Sequence, residues 1–497
     1  MESYEHKKKV YRGILAGIII IVGIMIYLSV GRGIKISEKN FPDQYFRVYV
    51  LYELDANGNG YLSRKELDAV EKIDIGGYSY ISDLTGIEYF KSLKKLEAWR
   101  NSITSLDVSQ NPALEYLDCA YNDLTSLDVS QNLALVELTC MGNDLTSLDV
   151  SQNIALKRLD CGHNELTSLD VSQNTALEYL DCSIISGHNR LTELDVSHNI
   201  ALEVLWCYGN DLSSLNVSQN PKLRSLNCMS NDLSSLNVSQ NPELEKLRCS
   251  GNQLSSLDIS QNPVLKELDC SNNQLTNLDI SQNLVLEKLD CYENDLVSLV
   301  TGPNATLRKL HCNNNQLSHL DISQDIALEY FDCSDNQLSN LDISQNTALV
   351  DMTCENNQLS SLDTNQNSAL AYLRCNGNQL NHLDISQNYV LEYLRCSDNQ
   401  LSSLDLSQNG YFRYLQFNDN VVQITVDSNR QFDLSSFDGF DSSKVTDVQG
   451  GEIQGTLLTV YADATEVTYT YDTGFFSLNK EINQEEIRLI HVTLKLE

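Results

Sequence analysis

Fourteen cysteines return at one place in a repeating pattern, as in LDCSNNQLTNLDISQN over 268–283. Cys119, Cys140, Cys161 and Cys182 stand 21 residues apart, Cys207 follows after 25, and the interval is 21 again as far as Cys396. Such thiols could pair as disulfides, ligate a metal or act as nucleophiles, and their even number in an extracellular chain favours disulfides. Geometry argues otherwise. Identical positions on stacked parallel strands keep Cβ atoms about 4.8 Å apart, whereas a disulfide needs about 3.8 Å. A line of thiols with no inward His or carboxylate does not converge on a metal. Burial in apolar surroundings raises the thiol pKa and makes it inert, so the expectation is a reduced, buried cysteine ladder.

A second stretch, DANGNGYLSRKE over 55–66, meets the twelve-residue EF-hand pattern for calcium. Asp55, Asn57 and Asn59 supply oxygens, Gly60 allows the sharp turn, Tyr61 offers its carbonyl, Ser63 holds a bridging water and Glu66 closes the site. With only two charged ligands, a single low-affinity calcium site is expected, at about 10⁻⁴ to 10⁻³ M. No second hand follows, so calcium should staple the N-terminal cap rather than drive a sensor. The flanking YFRVYVLYEL and RKELDAVEKI read as short helices, with Phe46, Val50 and Leu51 on one side. DLSQNGYFRYLQ over 405–416 imitates the loop but lacks the final glutamate and falls inside a repeat, so it is set aside. His163 and His188, two imidazoles with no third ligand, make a poor metal pair.

The elements that must position these groups come from the repeat itself. From Leu114 the chain reads L-x-x-L-D-C-x-x-N-x-L-T-S-L-D-V-S-Q-N-x-x and starts again. Its leucine spacing is the leucine-rich-repeat pattern, with cysteine at the third leucine position. One short strand per coil, stacked in parallel, buries Leu114, Leu117, Cys119 and Leu124, while Leu127 and Val129 fill the core from the opposite wall. The asparagine column from Asn122 to Asn420 should form a ladder, since a buried amide must be satisfied. Two further coils lack the cysteine, one around Leu93–Ile103 and one around Phe412–Asn420, which makes about 16 coils. ISDLTGIEYFKSL over 81–93 reads as a divergent first repeat.

LEYLDCAYNDLTSLDVSQNLAL and its relatives, with ISDLTGIEYF ahead of them, resemble internalin-like bacterial surface proteins with 21-residue, cysteine-ladder leucine-rich repeats. The likeness covers about residues 36–497. It implies a cell-surface binding or adhesion solenoid without catalytic activity. No sortase-type anchor follows HVTLKLE, so attachment is expected through the N-terminus.

There, Lys7, Lys8, Lys9 and Arg12 precede the uncharged run GILAGIIIIVGIMIYLSV, long enough to cross a thin bilayer. Residues 13–31 are read as an uncleaved transmembrane signal anchor, with a cleaved signal peptide as the alternative. This divides the chain into a cytoplasmic tail (1–12), the span (13–31), an EF-hand-like helical cap (36–80), the solenoid (81–420) and a β-sandwich-like C-terminal domain (421–497). In that last segment VVQITV, TLLTVYA, EVTYTY and RLIHVTLKL alternate as antiparallel strands do, and should cover the open end of the solenoid. The fold class is thus an α/β-type solenoid dominated by β. A formal charge of −34, from 34 basic and 68 acidic residues, argues against nucleic acid as a partner.

Function should lie where side chains vary without disturbing the core, on the concave face beside the leucines and cysteine. Tyr330, Tyr372, Tyr393 and Tyr414 share one column there, with Arg374 and Arg395 in the next. Lys246, Arg248, Lys288, Lys309 and His311 form a basic strip, and Trp206 and Tyr208 lie beside the one insertion, SIIS over 183–186. Tyrosine and arginine on a rigid surface fill protein pockets or stack on sugars. Cross-strand stacking is the structural alternative for the tyrosines, and salt bridges to Glu243, Glu267 or Glu287 for the strip. The sequence therefore points to a monomeric, membrane-tethered extracellular protein that binds a protein or carbohydrate ligand, or to a secreted one after cleavage. A passive spacer remains the alternative. No nucleophile, acid–base pair or cofactor motif stands outside the repeat, so no enzyme is expected.

Overall fold

The computed structural model describes residues 33–184, 189–476 and 487–496. The proposed span 13–31 lies outside these residues, as do Ile185 and His188. Among the described residues no helix is long and apolar enough to cross a membrane. The chain divides into two compact units, one ending at Leu212 and the other beginning at Ser213.

The first unit opens with a short helix, Gln44–Tyr49, whose N-cap Asp43 accepts from the amides of Tyr45 and Phe46. It widens into a π-type turn over Val50–Leu54. Phe46 and Val50 are fully buried, but Leu51 is 38% exposed and does not join them. At about 100° per residue, five steps from Phe46 carry Leu51 past the buried face. After the loop, Ser63 and Glu66 form a capping box that starts the helix Arg64–Ala69.

The parallel sheet begins at Lys72–Asp74, inside the segment assigned by sequence to the cap. Ile73 and Ile75 point inward and are fully buried, and the strand pairs in parallel with Lys95–Glu97. Tyr116–Asp118, Glu137–Thr139, Arg158–Asp160, Tyr179–Asp181 and Val204–Trp206 follow in register. In the second unit the same three-residue strands run from Ser225–Asn227 to Tyr414–Gln416. In each strand the middle residue is inward and its two neighbours face out, as strand alternation requires.

All 14 cysteines are free and buried. Burial pushes their thiols up, Cys228 to about 12, which keeps them protonated and unreactive at neutral pH. The expected asparagine ladder is present. Asn143 donates through Nδ2 to the carbonyls of Cys119 at 3.0 Å and Cys140 at 2.9 Å, and its Oδ1 accepts from the Leu124 amide at 3.0 Å. A second asparagine column, at the end of each SQN, went unread in the sequence. Asn153, fully buried, donates to the carbonyls of Val129 and Asn132, both at 3.0 Å. These amides hold the turns of successive coils together on the wall opposite the strands.

Beyond Asn420 lie a four-stranded sheet in the order Val421–Ile424, Leu489–Leu496, Glu466–Asp472, Val445–Gln449, and a three-stranded one. Val421–Ile424 runs parallel to Leu489–Leu496, so the arrangement is mixed where the sequence suggested antiparallel strands throughout. The direction of that strand is set by the last coil: the Val421 amide still bonds the Asn399 carbonyl at 3.2 Å. Tyr469 donates its hydroxyl to the Ser402 carbonyl at 2.8 Å, and Phe475 meets Phe412 edge-on at 6.0 Å. These contacts cover the apolar end of the solenoid.

Candidate functional site

Two places gather the residues that the sequence singled out. In the loop 55–66, Asp55 is buried, its Oδ2 accepting from the Gly60 amide at 2.8 Å and its Oδ1 from the Asn59 amide at 3.3 Å. Glu66 folds back over the loop. One oxygen accepts from Asn57 Nδ2 at 2.6 Å and the other from the Ser63 amide and hydroxyl, at 2.8 and 2.7 Å. Those hydrogen bonds hold the Glu66 carboxyl below the usual carboxylate range, against the opposing pull of burial. Gly58 and Gly60 have φ of +66° and +76°, which side chains rarely adopt. Tyr61–Leu62, at the end of the loop, pairs antiparallel with Ile34–Lys35. The loop thus carries two carboxylates, with the side-chain or backbone oxygens of Asn57, Asn59, Tyr61 and Ser63 between them in sequence, and Asn59 Oδ1 accepting from the Tyr61 amide at 2.8 Å. This oxygen set fits calcium rather than a transition metal. Among the described residues no three His, Cys, Asp or Glu side chains converge.

The second place is the sheet face of the second unit. Tyr372, Tyr393 and Tyr414 are register partners, whereas Tyr330 is set apart from them by Asp351 in the same column. The Tyr393 and Tyr414 rings stack at 4.4 Å and 7°, and Tyr372 tilts against Tyr393 at 6.3 Å. Arg374 and Arg395 both lie over the Tyr393 ring, at 5.3 and 5.4 Å. Arg374 is also held by Asp351 at 2.7 Å. Arg395 Nε and Glu355 Oε1, both shielded from solvent, lack hydrogen-bond partners. Burial raises the Glu355 carboxyl, and the two arginines pull it back. The tyrosines therefore do stack across strands, and the stack forms an exposed aromatic ridge with two guanidinium groups along it.

The basic strip is mostly neutralised. Glu267 takes Lys246 at 2.8 Å and Arg248 at 3.5 Å, and Asp290 takes Lys288 at 2.5 Å and His311 at 3.0 Å. In the first unit Trp206 meets Tyr179 edge-on at 5.7 Å. Tyr208 faces outward from the same coil and accepts the Ile184 amide on its backbone carbonyl at 2.9 Å. Sequence reasoning passed over Asp160 and Asp181, register partners that are both buried. Their signal, aspartate before cysteine, recurs in many coils and so did not mark them out.

Stacked three-residue strands, a cysteine ladder and an asparagine ladder define a leucine-rich-repeat solenoid, a fold that typically serves as a binding scaffold rather than an enzyme. A family model for leucine-rich repeats (two copies) matches residues 242–283. The functional domain of InlJ from Listeria monocytogenes, which includes a cysteine ladder, is 29% identical with a TM-score of 0.71, the match covering 94% of this chain and 99% of that one. The chain thus resembles the internalins with leucine-rich repeats and a cysteine ladder. YopM from Yersinia enterocolitica is 25% identical with a TM-score of 0.58, covering 72% of this chain and 81% of that one. The Arabidopsis receptor kinase HAESA, in complex with the peptide hormone IDA and the co-receptor SERK1, shares the fold at 19% identity and a TM-score of 0.56, covering 77% of this chain and 71% of that one. No curated protein matches the chain.

Proposed function

We propose that this protein is a non-catalytic surface recognition protein whose sheet face binds a protein or glycan partner through Tyr372, Arg374, Tyr393, Arg395 and Tyr414. The observation that carries the reading is the stack of Tyr393 on Tyr414 with both guanidinium groups over Tyr393. A rigid aromatic ridge loses little entropy on binding, and arginine beside it adds directional donors. A peptide held by a solenoid of the same fold, HAESA, supports a protein ligand. In this reading the run 13–31 tethers the chain to the membrane with the repeats outside the cell, and calcium bound by Asp55, Asn57, Asn59, Tyr61, Ser63 and Glu66 stiffens the cap. The test is a screen of glycans and surface proteins against the purified chain and against a Tyr372→Ala, Arg374→Ala, Tyr393→Ala variant, with native thiol protection as the check on folding. Loss of at least about tenfold in affinity, equivalent to about 1.4 kcal/mol, supports the assignment. Unchanged binding by the folded variant refutes it and leaves the ridge as a structural stack on a spacer.

A further inference from the structure

Among the described residues the buried aspartates are Asp55, Asp160, Asp181, Asp290 and Asp325. Asp55 belongs to the proposed calcium loop, Asp290 is ion-paired to Lys288 with His311 Nδ1 3.0 Å from its other oxygen, and Asp325 stands in the second asparagine column. Asp160 and Asp181 remain. They lie side by side as register partners on neighbouring strands and project from the sheet face of the first unit, each only 6% exposed. The ion pair these coils contain, Lys157 with Glu178 at 2.8 Å, takes in neither of them.

Their oxygens are only partly used. Asp181 accepts from the Ser183 hydroxyl and, at 2.9 Å, from the Ser183 amide, all through Oδ1. Its Oδ2 has only the long contact of 3.5 Å from the Tyr179 hydroxyl. Asp160 Oδ1 is buried with no hydrogen-bond partner. Burial, with Asp181 beside it, pushes the Asp160 carboxyl up to about 7, Arg158 opposing. That arginine lies instead over the Tyr179 ring, at 3.5 Å. Two adjacent buried carboxylates whose cationic neighbour, Arg158, makes no ion pair with either are costly unless a proton or a further cation completes them.

The surroundings choose the cation. Register partners on parallel strands stand about 4.8 Å apart, a spacing that the planar fork of a guanidinium spans with parallel N–H donors. The next residue in the same column is Trp206, with Tyr179 against it, so the carboxylate pair ends on an aromatic wall. A Cβ at Gly162 would come within 2.7 Å of the Ser183 carbonyl oxygen and 3.5 Å of Asp181 Oδ1, so backbone packs closely against the inner side of the pair and leaves only the sheet face for a ligand.

We infer that Asp160 and Asp181, walled by Tyr179 and Trp206, form a second binding site on this protein, one that receives an arginine side chain from a protein partner. The site lies in the first unit and stands or falls separately from the tyrosine ridge.

The probe is the tripeptide acetyl-Gly-Arg-Gly-amide, followed by ligand-observed saturation-transfer NMR on the full chain, beside its citrulline and lysine analogues. The arginine peptide should respond at least about tenfold more strongly than the uncharged citrulline one, the scale of one charge-assisted hydrogen bond. Binding should strengthen from pH 6 to 8 as Asp160 releases its proton among Asp118, Arg158, Tyr179 and Asp181. The near-isosteric D160N should abolish the difference without unfolding the chain, because it removes an unpaired buried charge. The Tyr372, Arg374, Tyr393 variant should respond like the wild type. Equal response to citrulline, a lysine peptide binding as well as arginine, or full binding by D160N overturns the assignment. So does calcium binding that survives Glu66→Gln and is lost in D160N, which would make the pair a metal site.

Discussion

Asp325 stands where the second ladder elsewhere carries asparagine, and it cannot play that part once ionised. Two coils earlier Asn283 donates to the carbonyls of Ile259 at 3.0 Å and Asn262 at 2.9 Å, and in the next coil Asn346 donates to those of Ile322 and Asp325, both at 2.9 Å. The same register sets the carbonyls of Thr301 and Asn304 opposite Asp325. It is fully buried, and neither carboxylate oxygen has a hydrogen-bond partner. Burial pushes its pKa up to about 7, with Thr301 exerting a smaller opposing pull. Against an unfolded value of about 3.9, three units at 1.36 kcal/mol each set an upper limit of about 4 kcal/mol. The sign follows from proton binding: between about pH 4 and 7 the folded chain holds a proton that the unfolded chain has lost, so stability falls as pH rises through that window and levels off above it. Asp325→Asn removes this penalty and supplies two N–H donors. It should therefore stabilise the surrounding coils by about 2–4 kcal/mol at pH 8 and by clearly less at pH 4. Hydrogen exchange of the Leu328 amide, bonded to the Asp325 carbonyl at 3.1 Å, reports this locally. A local readout is needed because a long repeat does not unfold in one step. Unchanged or faster exchange in Asp325→Asn at pH 8 would refute the argument.

The cysteine ladder makes a simpler demand. Cys270→Val should cost no more than about 1 kcal/mol, and Cys270→Asp at least about 3, because a carboxylate would enter an apolar column without a partner. Thiol titration should find the native protein unreactive and release 14 groups on denaturation. In the cap, calcium at about tenfold to a hundredfold above its dissociation constant should stabilise by about 1.4–2.7 kcal/mol. Glu66→Gln should abolish that gain in a melt with and without calcium, and a gain that persists would show the ion bound elsewhere.

Much of this molecule was legible as a one-dimensional pattern. The leucines, the cysteines and the first asparagine column repeat with the coil, and strand alternation tells which of them point inward, so Leu117, Cys119 and Asn122 could be placed without coordinates. The divergent start was harder. Lys72–Asp74 carries no leucine signature, and only its pairing with Lys95–Glu97 reveals it as the first strand. The second asparagine column was also hidden, because SQN reads as a polar turn and nothing local says that its asparagine is fully buried.

Sequence alone determined the coil, its period, its reduced thiols and the residues that face out, because each depends on the chain's own alternation. Tertiary structure decided what those outward residues do. Arg248 and Arg374 are equivalent in sequence, yet one shares Glu267 with Lys246 while the other joins Asp351 and lies over Tyr393. Asp290 and Asp160 are equally alike, yet Asp290 is ion-paired to Lys288, whereas the lysine near Asp160, Lys157, pairs with Glu178 instead. The physical reason is that a side chain on a stacked sheet meets its partners one coil away, about 21 residues along the chain. Pairing across that distance depends on register and side-chain reach, and these are set only when the coils stack.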